Sequence, residues 1–287
     1  VALFEQVSVI GVGLLGGSLG RACKDLNLAR QVVGYGRNRA NLDKAVELGA
    51  IDRAASSIAD AVQGADLVVL CSPVGSFPDL ARAIAPALKP TAVVTDVGSV
   101  KSAVVREMEA LLPNPARFVG SHPIAGGEKS GVEASDPRLF SGALCVVTPT
   151  ARTDAGALAQ VMELWRALGM TGVVLSPEDH DMIFGAVSHL PHLVAFALMQ
   201  AVGELRTKNN EPVISFCGNG LRDSTRIAGS DPVMWRDICL TNREAILGSI
   251  DRFRDVLDRF RSWVAEGEGQ QLEQAFVQAR KYRQDLQ

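Results

Sequence analysis

The sequence predicts an α/β doubly wound sheet followed by an all-helical C-terminal domain. Three observations carry that prediction. Through about residue 176, short apolar runs rich in β-branched residues alternate with amphipathic stretches, the pattern of βαβ units. Most of the apolar runs are nearly continuous, as in strands buried on both faces of a parallel sheet. After "SPEDHD" (residues 176–181) the strand-like runs largely disappear and helical periodicity takes over.

In order, the predicted strands are "VSVIGVG", "QVVGYG", "DLVVLCSP", "TAVVTDVGS", "RFVGSHP", "ALCVVTP" and "TGVVLSP". Helices such as "NRANLDKAVELGA", "KSAVVREMEALL" and "DAGALAQVMELWRALG" lie between them. The first strand leads into Gly11, Gly13 and Gly16, a G-x-G-x-x-G run that opens a helix. Gly11 permits a tight turn, Gly13 lets the backbone approach a pyrophosphate, and Gly16 lets the helix close on the strand. The helix N-terminus then faces the negative charge. A bare glycine pattern is weak and fits any glycine-rich turn, but its place between strand and helix makes residues 1–176 a Rossmann-type dinucleotide-binding domain. At the end of the second strand Gly36 stands where an acid usually holds the ribose of NAD, and Arg37 follows. Loss of the carboxylate and gain of a guanidinium suit a 2′-phosphate. NADP is the expected cofactor, with NAD as the alternative. The expected contacts are Gly11, Gly13, Leu15, Gly16 and Arg37, with Ser72 and Pro73 from "CSPV".

Ligands of an open α/β sheet bind beyond the carboxyl ends of its strands. "CSPV", "TDVGSVKS" and "GSHPIAGG" all fall at such ends. His122 is expected where a nicotinamide ring would lie, on a loop whose small residues leave room for substrate. An imidazole there can accept a hydroxyl proton as hydride leaves the adjacent carbon; bonding to backbone in a tight loop is the purely structural reading.

Residues 177–287 read as a helical substrate-binding and dimerisation domain. "SHLPHLVAFALM" carries His189 and His192, with no further Cys or His beside them to complete a metal site. No metal is expected; His192 is assigned to substrate binding or capping, and His189 to structure. His180 reads as a solvated residue at a helix start. "GNGLRDSTRIAGSDPVMWRD" carries Arg222, Arg226 and Arg236; one guanidinium is suited to bidentate capture of a carboxylate, the others to surface ion pairs. From Asp231 and Pro232 a single helical pattern runs toward Gly267. Ile246, Ile250, Phe253, Leu257, Phe260 and Val264 recur along it at heptad-like spacing. That stripe packs either on a neighbouring helix of the same chain or on a second copy.

With 287 residues, 47% hydrophobic and 21% charged, and a net charge of -3, the composition is that of a globular protein without a basic field for nucleic acid. The five cysteines are scattered, without C-x-x-C, and read as buried thiols. No apolar stretch approaches the ~20 residues needed to span a bilayer, and the segment from Val1 lacks a secretion pattern. No membrane partner and a cytoplasmic location are expected.

In this order along nearly the whole chain, "GVGLLGGSLG", "DVGSVK", "GSHPIAGGEKSG", "VSHLPH" and "LRDSTRIAGSDPVMWRDI" resemble the prephenate/arogenate dehydrogenases of tyrosine biosynthesis. The histidine loop and the arginine segment are far more specific than the glycine loop. The resemblance implies oxidation of the ring hydroxyl of prephenate or arogenate with NAD(P), while the ring loses its carboxylate as carbon dioxide. It implies for His122 the catalytic hydrogen bond to that hydroxyl, and for Ser99 a bridge between hydroxyl, histidine and nicotinamide. His192 matches a substrate-binding histidine and Arg226 an arginine that holds a substrate carboxylate. Glu128, Arg222 and Asp223 match charged positions around the site entrance, although Arg222 is lysine in some relatives, and Trp235 matches a tryptophan near the pocket. A homodimer through the helical domain is implied, as is the monofunctional form, since no chorismate mutase segment is recognisable. The competing readings are a β-hydroxyacid dehydrogenase or imine reductase of similar two-domain build, and a nonenzymatic NADP sensor. The histidine loop and "HLPH" disfavour the first two; a competent His122 disfavours the third.

Overall fold

A computed structural model describes residues 2–127 and 129–286. The first part runs β1 (Phe4–Ile10), α1 (Leu14–Asp25), β2 (Ala29–Tyr35), α2 (Arg39–Glu47), β3 (Arg53–Ala54), α3 (Ile58–Val62) and β4 (Leu67–Leu70). It continues through α4 (Phe77–Ile84), β5 (Val93–Asp96), α5 (Ser102–Leu111), β6 (Phe118–Pro123), β7 (Leu144–Thr148), α6 (Ala155–Ala167) and β8 (Thr171–Val174). The strands form one sheet in the order β3-β2-β1-β4-β5-β6-β7-β8, with β1 to β6 parallel. This is the doubly wound α/β arrangement expected, with the strand order reversing beside β1. The two-residue β3 is too short to leave a pattern in the sequence.

The continuous apolar runs have a direct cause. In β4 ("LVVL") and β5 ("VVTD") every residue is buried. Leu67 and Val69 join the core layer of Leu19 and Cys23 on α1 and Val161 and Trp165 on α6. Val68 and Leu70 join Phe77 and Ile84 on α4 and Val104 and Met108 on α5. Alternate side chains therefore enter separate cores on the two faces of the sheet. Strand β7 departs from the parallel pattern and runs antiparallel to β6. Among the described residues between 124 and 143 there is no crossover α-helix, and β7 starts beside the end of β6, with Cys145 opposite Pro123. His122 consequently lies within β6, opposite Val146 of β7, and not on the small-residue loop where the sequence placed it; the loop begins after Pro123.

Beyond β8 come α7 (Pro177–Phe184), a π-helical turn (Gly185–His189), α8 (Leu190–Gly203), α9 (Asn219–Thr225), α10 (Pro232–Thr241), α11 (Arg243–Glu266) and α12 (Gly269–Gln284). Ser176 caps α7 by accepting the Asp179 N–H, and Asp231 caps α10 by accepting that of Met234, each followed by proline in the first turn. The single helix expected from Pro232 to Gly267 is two. Asn242, at φ -103° and ψ 40°, interrupts it because its amide turns inward and donates to the Asp181 carbonyl at 2.9 Å.

Helices α7 and α8 and the turn between them make one rod, Pro177–Gly203, of 27 residues with mean hydropathy 1.7 in its most apolar window, of which 22% is buried. By length and composition that suffices to cross a membrane, contrary to the expectation from sequence, where histidines, acids and Pro191 interrupt the apolar run. On α11 the apolar stripe begins buried at Ile246, yet Phe253, Leu257 and Val264 are 39%, 53% and 68% exposed. A neighbouring helix of the same chain does not cover them.

Candidate active site

The cofactor cradle is assembled where β1, β2 and β4 end. Gly11 has φ +101°, and a Cβ there would stand 2.8 Å from the Ser72 nitrogen, so only glycine fits both the backbone and the space. At Gly16 a Cβ would stand 2.1 Å from the Gly11 carbonyl oxygen, whereas at Gly13 it would meet nothing within 4 Å. The loop is thus pressed against the sheet on one side and open on the other, where the first peptide groups of α1 lie. Asn41 of α2 donates to the Val12 carbonyl at 2.6 Å and holds the loop from outside. Leu15 is partly exposed at the start of α1. Ser72 shares a 2.8 Å hydrogen bond with Ser76, and Pro73 is exposed beside it. Arg37 is exposed just past β2, next to Asn38, which caps α2. These residues fit a dinucleotide: an open glycine turn on a helix N-terminus for the pyrophosphate, and a guanidinium beyond the second strand.

His122 sits at the carboxyl end of β6, half-buried. Its Nδ1 lies 2.8 Å from His180 Nε2, and His180 Nδ1 lies 2.8 Å from Asp181 Oδ1. Phe184 packs edge-on against the His122 ring at 4.8 Å and tilted against the His180 ring at 4.5 Å. Burial, with the charges His180, Lys101 and His189 can carry, holds the His122 pKa well below the ordinary 6.5. The sequence pattern makes His180 a solvated helix-start residue; it is instead fully buried. Its neighbours in "SPEDHD" are polar, but Ser176 and Pro177 start the helix so that His180 and Asp181 turn under the sheet edge.

A buried ion pair braces the floor. Lys101 Nζ pairs with Asp96 Oδ2, both side chains fully buried. Asp96 also accepts the Gly98 N–H at 2.8 Å and the Ser121 N–H at 3.1 Å. The β5–α5 turn that carries Ser99 is thereby tied to the residue preceding His122. Ser99 itself is partly exposed.

The helical side contributes a second group. The Asn242 amide donates to His189 Nδ1 at 3.1 Å, and burial pushes the His189 pKa down to about 4. His192 donates from Nδ1 to the Ser188 carbonyl at 2.9 Å and stacks on Trp235 with centroids 3.7 Å apart. Burial lowers its pKa as well, and Arg226 is close enough to add to that shift. The π-helical turn makes this grouping possible. His180 and His189 are nine residues apart, which would set them on roughly opposite faces of an unbroken α-helix. One extra residue in the turn rotates the succeeding helix back by ~100°, so both imidazoles are buried.

The structure therefore gathers His122, His180, Asp181 and Phe184 in one cluster, and His192, Trp235 and Arg226 in another. Arg222 and Asp223 lie exposed on α9, with nothing described that ties them to His122; Glu128 lies outside the described residues. Arg236 is engaged by Asp237 at 2.7 Å. Among the described residues no group of three or more His, Cys, Asp or Glu side chains is arranged to hold a metal. Sequence reasoning missed His180 and Asp181, the Lys101–Asp96 pair and Asn242. The adjacent His-Asp in "EDHD" was the one visible signal, and without a partner it carried no meaning.

Comparison with known proteins gives consistent matches. A family model described as prephenate dehydrogenase, nucleotide-binding domain, matches residues 19–174, and one described as prephenate dehydrogenase, dimerization domain, matches residues 176–278. The chain is 36% identical to a cyclohexadienyl dehydrogenase of Zymomonas mobilis over 99% of this chain and 96% of that one. Among solved structures, it is similar to the A. aeolicus prephenate dehydrogenase in complex with hydroxyphenyl propionate and NAD+, with a TM-score of 0.93, 38% identity, and 99% and 98% of the two chains covered. A Synechocystis arogenate dehydrogenase matches with a TM-score of 0.82 and 30% identity over 98% and 99% of the chains.

Proposed function

The chain belongs to the prephenate dehydrogenase family, and from that premise we propose how its residues divide the work. The protein is an NAD(P)-dependent dehydrogenase that oxidatively decarboxylates prephenate, arogenate or both, giving 4-hydroxyphenylpyruvate or tyrosine. The readings as a β-hydroxyacid dehydrogenase, an imine reductase or a nonenzymatic NADP sensor are not favoured. Residues 1–176 serve the cofactor, and residues 177–287 serve the ring substrate and a second copy of the chain.

The observation that carries the site assignment is the place of His122 at the carboxyl end of β6, the strand edge shared with the glycine cradle, where burial favours its neutral form. The bound nicotinamide supplies the acceptor for the hydride that leaves the carbinol carbon. Departure of that hydride leaves the hydroxyl oxygen strongly acidic, so even an imidazole of depressed pKa suffices to take the proton. Loss of the ring carboxylate as carbon dioxide then makes the ring aromatic. The overall reaction releases no net proton, so His122 returns to the phenolate oxygen the proton it took. Ser99, on the adjacent strand end, orients the hydroxyl toward it. Arg226 holds a substrate carboxylate, and His192 with the stacked Trp235 forms the wall beside it. Arg222 and Asp223, exposed on α9, supply charge at the entrance.

NADP is the preferred cofactor on this reading, supported by Gly36 in place of an acid and by exposed Arg37. A homodimer is supported by the uncovered stripe on α11. The direct test is a four-way assay pairing prephenate or arogenate with NAD or NADP, following reduced cofactor and carbon dioxide together. Equal amounts of both products from at least one ring substrate are expected, fastest with NADP. Folded protein that turns over none of the four pairs would sink the reading.

A further inference from the structure

Two buried side chains stand directly behind the base. We propose that His180 and Asp181 are positioning residues that fix the tautomer of His122, keeping its Nδ1 protonated and its Nε2 free to receive the substrate proton. The inference rests on the reading of His122 as the base.

The reasoning starts at the carboxylate. Asp181 Oδ1 accepts the Lys101 N–H at 2.7 Å and Oδ2 accepts the Ser102 N–H at 2.8 Å, the peptide groups that open α5. Burial pushes the Asp181 carboxyl up, but hydrogen bonds from His180 and from those two amides outweigh it and hold the pKa below the ordinary value. Asp181 is therefore an anion, and an ionised carboxylate only accepts. Its 2.8 Å contact with His180 Nδ1 requires a proton on that nitrogen. His180 is fully buried; burial keeps its pKa below 6.5 despite the hydrogen bond to Asp181, so the ring is neutral and its Nε2 is a lone pair. The 2.8 Å contact from that lone pair to His122 Nδ1 in turn requires a proton there. His122, also neutral, is left with Nε2 as its one acceptor. The opposite tautomer would set two lone pairs face to face.

The other groups facing His122 do not compete for this role. Lys101 at the start of α5 is paired with Asp96 at the end of β5. The Cys145 thiol on β7 is held well above its ordinary pKa, chiefly by burial, and stays neutral. His189 is neutral with a pKa of about 4, and Phe184 has no charge. Among the described residues, Asp181 is the anion left for a positive charge formed on His122. When Nε2 takes the substrate proton, the Nδ1 proton shifts to His180 Nε2 and the charge comes to rest beside Asp181. The same path runs backward when the phenolate is protonated, so nothing is gained or lost.

The test reads the tautomer directly. In protein carrying 15N-labelled histidine, nitrogen NMR distinguishes a protonated from a bare ring nitrogen, and the His122→Asn spectrum identifies the His122 signals among the four histidines. The wild-type resting enzyme is expected to show His122 with Nδ1–H and bare Nε2. His180→Phe is expected to release it into a tautomer mixture and to lower kcat by about 10–100-fold with little change in KM. His180→Gln, whose carbonyl can still accept from Nδ1, is expected to recover part of both. A wild-type His122 with Nε2–H overturns the proposal without any variant having to fold. So does an unchanged His122 spectrum in folded His180→Phe. If His122→Asn keeps full activity while the wild-type tautomer is as stated, the base assignment fails and the positioning survives.

Discussion

Burial holds the His122 pKa well below 6.5, which, with His122 as the proposed base, should give the enzyme a wide working range on the acid side. On the proposed mechanism the base acts in its deprotonated form, so kcat should hold steady from neutral pH downward and fall only as pH drops through the depressed folded pKa. An ordinary imidazole would place that limb near 6.5; burial moves it lower. His122→Asn should keep KM nearly unchanged, lower kcat by about 10²–10⁴-fold and abolish the limb. A pH–rate profile retaining the wild-type limb would move the base elsewhere. At the cofactor end, Arg37→Ala should weaken NADP about 10–100-fold, the loss of one charge-assisted contact, and leave NAD nearly unaffected. Equal losses in titrations with the two cofactors would remove Arg37 from the 2′-phosphate site. His122 and Arg37 could be singled out in the sequence because their neighbours, a strand end and a glycine turn, suggest a role for each. His180 could not, because its partner is 58 residues away and no local pattern encodes that meeting.

At the scale of elements, periodicity did most of what it can do. Burial on both faces writes itself into sequence as unbroken apolar runs, so β4 and β5 could be read, whereas β3 and the antiparallel turn of β7 could not. A connection that lacks a helix looks like any other loop until the sheet closes. The helical half was read less well, because one side chain reshapes it. Asn242 splits a pattern that is periodic on either side, and the π-helical turn rotates the frame in which His189 and His192 would be counted. Close packing of α1 gives a sharp prediction. A Cβ on Gly20 would stand 2.0 Å from the Ala50 carbonyl oxygen, which is backbone and cannot swing aside. Alanine's better helix propensity offsets this by about 1 kcal/mol, yet the helix must still shift away from the turn at Ala50 that follows α2. Gly20→Ala should cost a net ~1–3 kcal/mol, lowering the melting temperature by about 2–4 °C per kcal/mol. Calorimetry showing equal or higher stability would mean that α1 is free to move outward, and that the cradle is less tightly seated than the packing implies.

Across the whole molecule, apolar surface is distributed unevenly. The sheet region encloses two continuous cores, while the helical region buries Trp235 and Ile238 against Val100 of the β5–α5 turn and leaves large apolar side chains outside. On α11, Phe253 and Leu257 are succeeded about two turns later by Val264, all on one face and all substantially exposed. Charged residues such as Arg252, Asp255 and Arg259 fill the other positions, so the helix is amphipathic toward a surface its own chain does not supply. A second copy meeting the same stripe supplies one, since an isologous contact needs only self-complementarity. Each of these side chains is worth about 1.5–3 kcal/mol when fully buried, and a carboxylate buried among them would be left without a partner. Leu257→Asp with Val264→Asp should therefore convert the protein from dimer to monomer at micromolar concentration, as measured by sedimentation equilibrium. Cofactor affinity should persist, because the glycine cradle is built within the sheet region, from the ends of β1, β2 and β4 with α1 and Asn41 of α2, and NADP titration of the monomer checks that this region is intact. A variant that keeps the dimer mass would place the interface on another part of the helical region, with the largely uncovered rod of α7 and α8 the next surface to alter.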